Sequence, residues 1–230
     1  LAAYLRGATK YQLMTIYQKY GEKSVPLLKE DIYRVIRDIE GFGFIKADKL
    51  AAACGVKKDS STRIRVAILH VLQNVAADGH CFMHEGSLGN ELRILLKMPI
   101  LVDRLRYEIS KLQEAGEVVL EDGNVYLTSI YQAECECAES IDRILSTPAN
   151  RTVPHNWVKK AIFDIEAEKG FTLVQEEKTA IETAMEEKVM ILTGGPGHGK
   201  TTVINAILKA WNHPESTLLV APTGCAAFQM

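Results

Sequence analysis

The stretch Val189-Met190-Ile191-Leu192-Thr193-Gly194-Gly195-Pro196-Gly197-His198-Gly199-Lys200-Thr201-Thr202 decides how the C-terminal part of this chain is read. A short apolar run rich in β-formers enters a glycine loop, and the loop enters a helical pattern over residues 201–212. The eight residues from Gly194 satisfy G-x-x-x-x-G-K-[ST] in the strand, loop and helix context that gives this phosphate-loop (P-loop) motif its meaning. Glycines let backbone N–H groups turn inward around phosphate oxygens, and a following helix points the positive end of its dipole at the same charge. Lys200 is placed to bridge the β- and γ-phosphates of a nucleotide, and the Thr201 hydroxyl to ligate Mg²⁺. Thr202 adds a hydroxyl near the α-phosphate, while His198 occupies a variable position of the loop and carries no assigned chemistry. A glycine turn with an incidental lysine is the bland alternative.

Working outward, Thr217-Leu218-Leu219-Val220-Ala221 reads as a second buried strand, so strand, loop, helix and strand form a βαβ unit that opens a parallel-sheet α/β domain. A helix over 174–186 precedes it, and Ser146-Thr147-Pro148-Ala149-Asn150 is the best linker because proline and small polar residues interrupt the periodicity. Hydrolysis also needs an acidic residue on a neighbouring strand and usually an arginine. Neither is visible after Thr201, and Asp164 and Glu166 read as surface residues of an amphipathic stretch, so this sequence alone is expected to turn nucleotide over poorly. With Leu1 at one end and Met230 in the middle of the α/β pattern, it reads as a piece of a longer chain.

The first 80 residues read as all-helical. Leu13, Ile16, Tyr17 and Tyr20 recur at helical spacing after Thr9, a good N-cap, and Gly21 ends the run. Ile32, Val35, Ile36 and Ile39 mark a second helix, broken at Gly41-Phe42-Gly43 and resumed through Ala47, Leu50 and Ala51. A longer helix over 61–78 buries Ile64, Ala67, Ile68, Val71, Leu72 and Val75. The segment from Ile36 to Leu50 has the form of a helix-hairpin-helix: Gly41 and Gly43 would expose backbone N–H groups to a DNA phosphate, with Lys46 and Lys49 as counter-charge. A turn that only packs two helices is the other reading. Further on, Val102, Leu105, Ile109 and Leu112 form a helical stripe, followed by Val118-Val119-Leu120, Asp122-Gly123 and Val125-Tyr126-Leu127. Asp-Gly between β-rich runs predicts a hairpin, and helix plus hairpin suggests a small winged-helix-like module that binds nucleic acid or braces domains. Residues 134–145 read as a helix.

Composition bounds these readings. No run approaches the roughly 18 apolar residues of a membrane span and no signal peptide is visible, so a cytoplasmic protein is expected. The net charge of −2 hides an uneven distribution: residues 1–72 carry 13 Lys+Arg against 7 Asp+Glu, and the remainder 14 against 22. A basic first third suits phosphate backbone, although an ordinary solvated surface would look the same. The 5 cysteines are odd in number and irregularly spaced, which predicts reduced thiols. His70, His80, Cys81 and His84 fit no usual zinc spacing. Cys135 and Cys137 diverge by about 200° on a helix and read as partly buried thiols.

Together these motifs resemble the RecD-like family of ATP-dependent DNA helicases within helicase superfamily 1, over nearly the whole chain. The run from Asp38 to Phe44 with Ala47-Asp48-Lys49 looks like that family's N-terminal helix-hairpin-helix region, and Leu192 to Thr202 like its first ATPase motif. Ala221-Pro222-Thr223-Gly224 with Ala226-Ala227 resembles the next motif, which in such helicases touches single-stranded DNA. The resemblance implies ATP with Mg²⁺ as cofactors, single-stranded DNA and duplex junctions as partners, and unwinding with 5′-to-3′ movement. The chain departs from the pattern where Glu177 stands near the adenine-reading glutamine, with Gln175 two residues away, and where Cys225 replaces a common arginine. A carboxylate accepts from the adenine amino group but cannot donate to the ring nitrogen. The expected architecture is mixed: an α-helical helix-hairpin-helix domain (1–82), a winged-helix-like α+β module (83–147) and the start of a P-loop α/β parallel-sheet ATPase domain (148–230). The rival functions are a nucleotide-controlled DNA clamp or loader and, last, a small-molecule kinase that would leave the first 145 residues unexplained.

Overall fold

A computed structural model describes residues 1–5, 7–148, 153–195 and 197–221. The chain divides into two compact units, Leu1–Glu136 and Cys137–Met230.

The first unit opens with α1 (Lys10–Tyr20), set by a capping box in which Gln12 N donates to Thr9 Oγ1 and Thr9 N donates to Gln12 Oε1. A separate short helix, α2 (Ser24–Glu30), comes first, and of the helix expected from about residue 30 only α3 (Arg34–Asp38) forms. Asp31 separates them in an extended conformation, and its Oδ1 accepts from Tyr33 N at 3.0 Å. Then follow α4 (Phe44–Ala53) and α5 (Ser61–Ala77), the latter capped by Ser60.

Past α5 the structure contains two elements that periodicity does not show. One is β1 (Phe82–His84), too short for alternation to register; the other is α6 (Glu85–Leu96). Gly86 and Gly89 dilute the helical signal of α6, yet Gly89 has a packing reason: a Cβ there would meet Leu105 Cδ2 at 3.3 Å. The expected stripe lies on α7 (Val102–Glu114), where Leu105, Ile109 and Leu112 are buried, whereas Val102 is 62% exposed. The hairpin is β2 (Val118–Glu121) and β3 (Asn124–Leu127), joined by Asp122 (φ 49°) and Gly123 (φ 78°), the positive pair of a type I′ turn. The sheet is antiparallel with order β1-β3-β2; Met83 pairs with Val125 and Leu120 with Val125. One apolar core runs from Leu5 through Phe44, Ile68 and Ile109 to Val125, so helices and sheet of this unit share it.

The chain leaves by α8 (Thr128–Ser146), longer than expected and with no buried residue. Cys135 and Cys137 on it are exposed, not partly buried, because this helix presents no face to a core. Of the expected linker, residues 149 and 150 lie outside the described residues. The second unit holds α9 (His155–Lys169), α10 (Gln175–Glu186) and α11 (Lys200–Trp211) around Val158, Ile165, Leu173, Ile181, Val203 and Ala206. The parallel sheet expected beside them is not formed among the described residues. Residues 189–193 and 217–221 carry no strand ladder; Ile191 is 84% and Leu218 85% exposed. A parallel strand is buried on both faces and paired by non-local neighbours, and these runs have neither here.

Candidate nucleotide and nucleic-acid sites

The loop between residues 193 and 200 is shaped by its glycines. Gly197 (φ 77°) and Gly199 (φ 69°) occupy the left-handed region, and Gly199 caps α11 without a side-chain hydrogen bond. Val203 N is the first to bond back, to Gly199 O at 3.0 Å, so the N–H groups of Lys200, Thr201 and Thr202 lack intrahelical acceptors and define a donor cluster for an anion. Lys200 folds across the loop, its Nζ donating to the carbonyls of Gly194 and Gly195 at 2.6 Å each. Two of the loop glycines lie close against other side chains. A Cβ at Gly195 would come within 2.9 Å of the His198 ring, and a Cβ at Gly199 within 2.1 Å of Glu177 Oε1.

Glu177 therefore sits against the loop, held by its other oxygen, which accepts from Val174 N at 3.0 Å at the start of α10. Gln175 is exposed at the first position of α10, and no described contact joins it to the loop. Thr201 is exposed and Thr202 half-buried; Pro196, Pro222, Thr223 and Cys225 lie outside the described residues. Glu166 is more than a surface residue. Its Oε1 accepts from Leu173 N at 2.9 Å and pairs with Lys178 at 2.8 Å, tying α9 to α10, and the Lys178 ammonium with the Leu173 N–H holds its carboxyl below the ordinary range. Its spacing from Leu173 and Lys178 gave no sign of this corner.

The second glycine turn lies in the first unit. Gly41 has φ 79°, whereas Gly43 (φ −76°, ψ 169°) is an ordinary extended N-cap for α4 with open space where a Cβ would go. Lys46 N and Ala47 N bond back to Gly43 O, leaving the Phe44 and Ile45 N–H groups without intrahelical acceptors. Ile39, Phe42 and Phe44 are buried at 6%, 5% and 1% exposure, so the turn is clamped to the core from both sides and its middle. Lys46 Nζ donates to Gly41 O at 2.8 Å, and Lys49 is exposed on the same helix.

A polar clasp that the sequence reading missed supports α4. Arg63 donates to both oxygens of Asp48 at 2.7 and 2.9 Å, and Tyr33 Oη donates to Asp48 Oδ1 at 2.8 Å. Burial alone would raise the Asp48 carboxyl, but the Arg63 and Tyr33 hydrogen bonds outweigh it and hold it below the usual range. Burial, reinforced by Asp48, pushes the Tyr33 hydroxyl well up. The same Arg63 also bonds Lys58 O at 2.8 Å, fixing the loop between α4 and α5. His84, one of the histidines weighed for a metal, caps α6 by accepting from Gly86 N at 3.2 Å.

Each of these two turns lies within a segment that matches a known family. Residues 4–82 match the ATP-dependent RecD2 DNA helicase HHH domain, and residues 177–230 match an AAA domain. The chain matches a RecD-like helicase N-terminal region. The ATP-dependent RecD2 DNA helicase of Deinococcus radiodurans is 28% identical over 235 residues, covering 96% of this chain. The chain spans about a third of that relative's length (32%). Among the described residues no helix is long and apolar enough to cross a membrane.

Proposed function

We propose that this chain is the nucleotide-gripping and DNA-engaging front of an ATP-dependent DNA helicase that moves 5′ to 3′ and separates strands. The observation that carries the reading is the pairing, in one chain, of a P-loop whose donors converge at α11 with a helix-hairpin-helix region matched to a DNA helicase.

The loop residues fit a triphosphate. A Cβ at Gly195 or Gly199 would press on the His198 ring or the Glu177 carboxylate, ends of side chains that can shift, while the φ of 69° at Gly199 favours glycine in its own right. The N–H groups of residues 200–202 supply donors, and Gly194, Gly195, Gly197, His198 and Gly199 form the rim, with Pro196 assigned to the same site by the motif alone. Lys200, now bonded to two carbonyls, turns its ammonium onto the β- and γ-phosphate oxygens, where a charge-assisted contact is stronger than either bond to a neutral carbonyl. Thr201 offers its hydroxyl to Mg²⁺, which supplies charge neutralisation for phosphoryl transfer when bound. Glu177 and Gln175 are the candidates for contact with the base, and a carboxylate in that role narrows the contacts available to adenine.

Gly41 and Gly43 give the hairpin its N–H surface, while Lys46 and Lys49 add charge, so duplex contact is sequence-independent. Pro222 and Thr223 follow the motor domain's second apolar run and would touch the single strand. Residues 83–147 form a winged-helix-like module, and residues 148–230 begin the motor. The protein acts in the cytoplasm, where DNA and ATP meet.

The test is steady-state ATP hydrolysis by the complete polypeptide with and without single-stranded DNA, with Lys200→Ala as the blank. Strong stimulation by DNA supports the motor. Hydrolysis indifferent to DNA, or none, overturns it and favours a clamp or loader.

A further inference from the structure

The face of the first unit formed by α7 and the N-terminal end of α5 is built around a charge placement that no turn described above uses. Glu108 is fully buried, at 0% exposure, and its carboxylate ion-pairs with Arg104 at 2.8 Å and Arg65 at 3.4 Å. Neither approach has hydrogen-bond geometry, so both carboxylate oxygens are buried without a hydrogen bond. Burying a carboxylate in this way is costly, and it is a poor route to stability compared with an apolar residue. Its effect is to draw two guanidinium groups together at the surface, where the side chains of Arg104 and Arg65 remain 42% and 37% exposed. One buried negative charge under two positive ones leaves that spot net positive.

The surroundings add charges of both signs, with Lys57 and Lys58 exposed beside Asp59, and Lys111 paired with Glu114 at 2.7 Å. Arg104 Nη2 also donates to Ser61 Oγ at 2.8 Å, in the first turn of α5, and reaches Asp59 O at 3.5 Å. It is thereby held against the α4–α5 loop, whose Lys57 and Lys58 are exposed. Tyr107 lies between Arg104 and Lys111, whose charges stand 5.9 and 5.8 Å from its ring centroid. By contrast, the β2–β3 hairpin carries Glu117, Glu121 and Asp122 at its base and tip, with no basic residue between residues 117 and 127. The hairpin is therefore acidic, in contrast to Arg104, Arg65, Lys57 and Lys58.

We propose that the α5–α7 face, centred on Arg104 and extending over Arg65, Lys57 and Lys58, is a second docking surface for the phosphate backbone of duplex DNA, and that the acidic hairpin stays clear of it. The cations are spread over two elements rather than gathered in a pocket, which suits a polyanion. The one aromatic ring among them is already faced by two cations, so the surface lacks the stacking platforms by which single strands are held. A backbone contact of this kind is sequence-independent and salt-sensitive. The choice of DNA as ligand rests on the helicase reading above; the location does not.

The test is fluorescence anisotropy of a labelled 20-base-pair duplex titrated with the chain at low salt, repeated across a salt series. Lys57→Glu with Lys58→Glu alters only exposed loop positions, and Arg104→Ala removes the centre of the face. Each should weaken binding about tenfold or more in a variant whose circular dichroism is unchanged. The lysine pair should also flatten the log–log salt slope by about two. Glu121→Gln with Asp122→Asn should leave affinity within about threefold. Gly43→Val separates the two surfaces: loss there with no effect of the lysine or Arg104 variants would overturn this proposal and leave the hairpin contact standing. Loss only in the lysine and Arg104 variants would do the reverse. A wild-type chain that fails to bind duplex but binds a poly-glutamate peptide through Lys57, Lys58 and Arg104 would also overturn it, reassigning the face to an acidic protein segment.

Discussion

The two glycine turns of this chain do similar work with different materials. At residues 41–43 a positive-φ glycine and an extended one lead into α4, and the turn is anchored by apolar side chains, Phe42 at 5% and Phe44 at 1% exposure. At residues 194–199 the turn leading into α11 is propped by polar and charged side chains, Lys200 on the carbonyls of Gly194 and Gly195 and Glu177 against Gly199. A turn nailed to a core presents its N–H groups in one fixed arrangement. A turn propped by a lysine can exchange those hydrogen bonds for a ligand. The first design suits a static contact with a backbone that passes by, the second a site that cycles between ligands.

If that contrast holds, removing an anchor should unfold the first turn's surroundings, whereas removing a prop should cost binding and little stability. The largest effect is expected from Phe42→Ala, which empties a core site and should destabilise the first unit by about 3 kcal/mol, read from urea unfolding. Lys200→Ala should weaken nucleotide binding by about 2–3 kcal/mol, the scale of hydrogen bonds to a charged group. Titration of a fluorescent nucleotide checks this, and the melting temperature should move little.

The clasp under α4 comes next. Asp48→Asn should cost about 2 kcal/mol, less than the loss of a fully buried pair because both partners are partly exposed. Its sign with pH is fixed. The Asp48 carboxyl is held down in the folded state, so its contribution is present above the unfolded value near 3.9 and is lost as pH falls through the folded value. Acid titration of stability for wild type and Asp48→Asn should converge at low pH; parallel curves would contradict the clasp.

The smaller effects separate the glycines. Gly41→Val forces a β-branched residue to φ 79° and should destabilise the hairpin by about 1–2 kcal/mol. Gly43→Val, in extended backbone with open space, should leave stability alone and lower duplex affinity about fivefold through crowding of the N–H surface. Smallest of all, Glu177→Gln restores a donor beside the loop and should raise affinity for adenine nucleotides about threefold over guanine nucleotides.

The contrast also explains what the sequence made legible. Turns written in glycine and aspartate were readable from the sequence: Gly41, Asp122, Gly123, Gly197 and Gly199 all take positive φ, whereas Gly43 is extended and could hold another residue. Long amphipathic helices such as α5 and α7 were equally plain, since burial follows the 3.6-residue period. α6 was hidden because Gly86 and Gly89 look like breakers, and only the close approach of Leu105 explains Gly89. The clasp of Tyr33, Asp48 and Arg63 and the buried Glu108 were invisible for another reason: they join residues far apart in sequence, and nothing in the local pattern of a charged residue says that its partner lies on another helix. The strands expected at 189–193 and 217–221 show the same limit, because β-propensity marks a segment that wants neighbours without supplying them.

The most direct test of two independent turns is a parallel titration of labelled duplex DNA and labelled ATP analogue with wild type, Lys200→Ala and Gly43→Val. The account predicts that Lys200→Ala loses the nucleotide and keeps the duplex, and that Gly43→Val keeps the nucleotide and weakens on the duplex. A single substitution that abolishes both in a folded protein, or a wild type that binds neither, would contradict it.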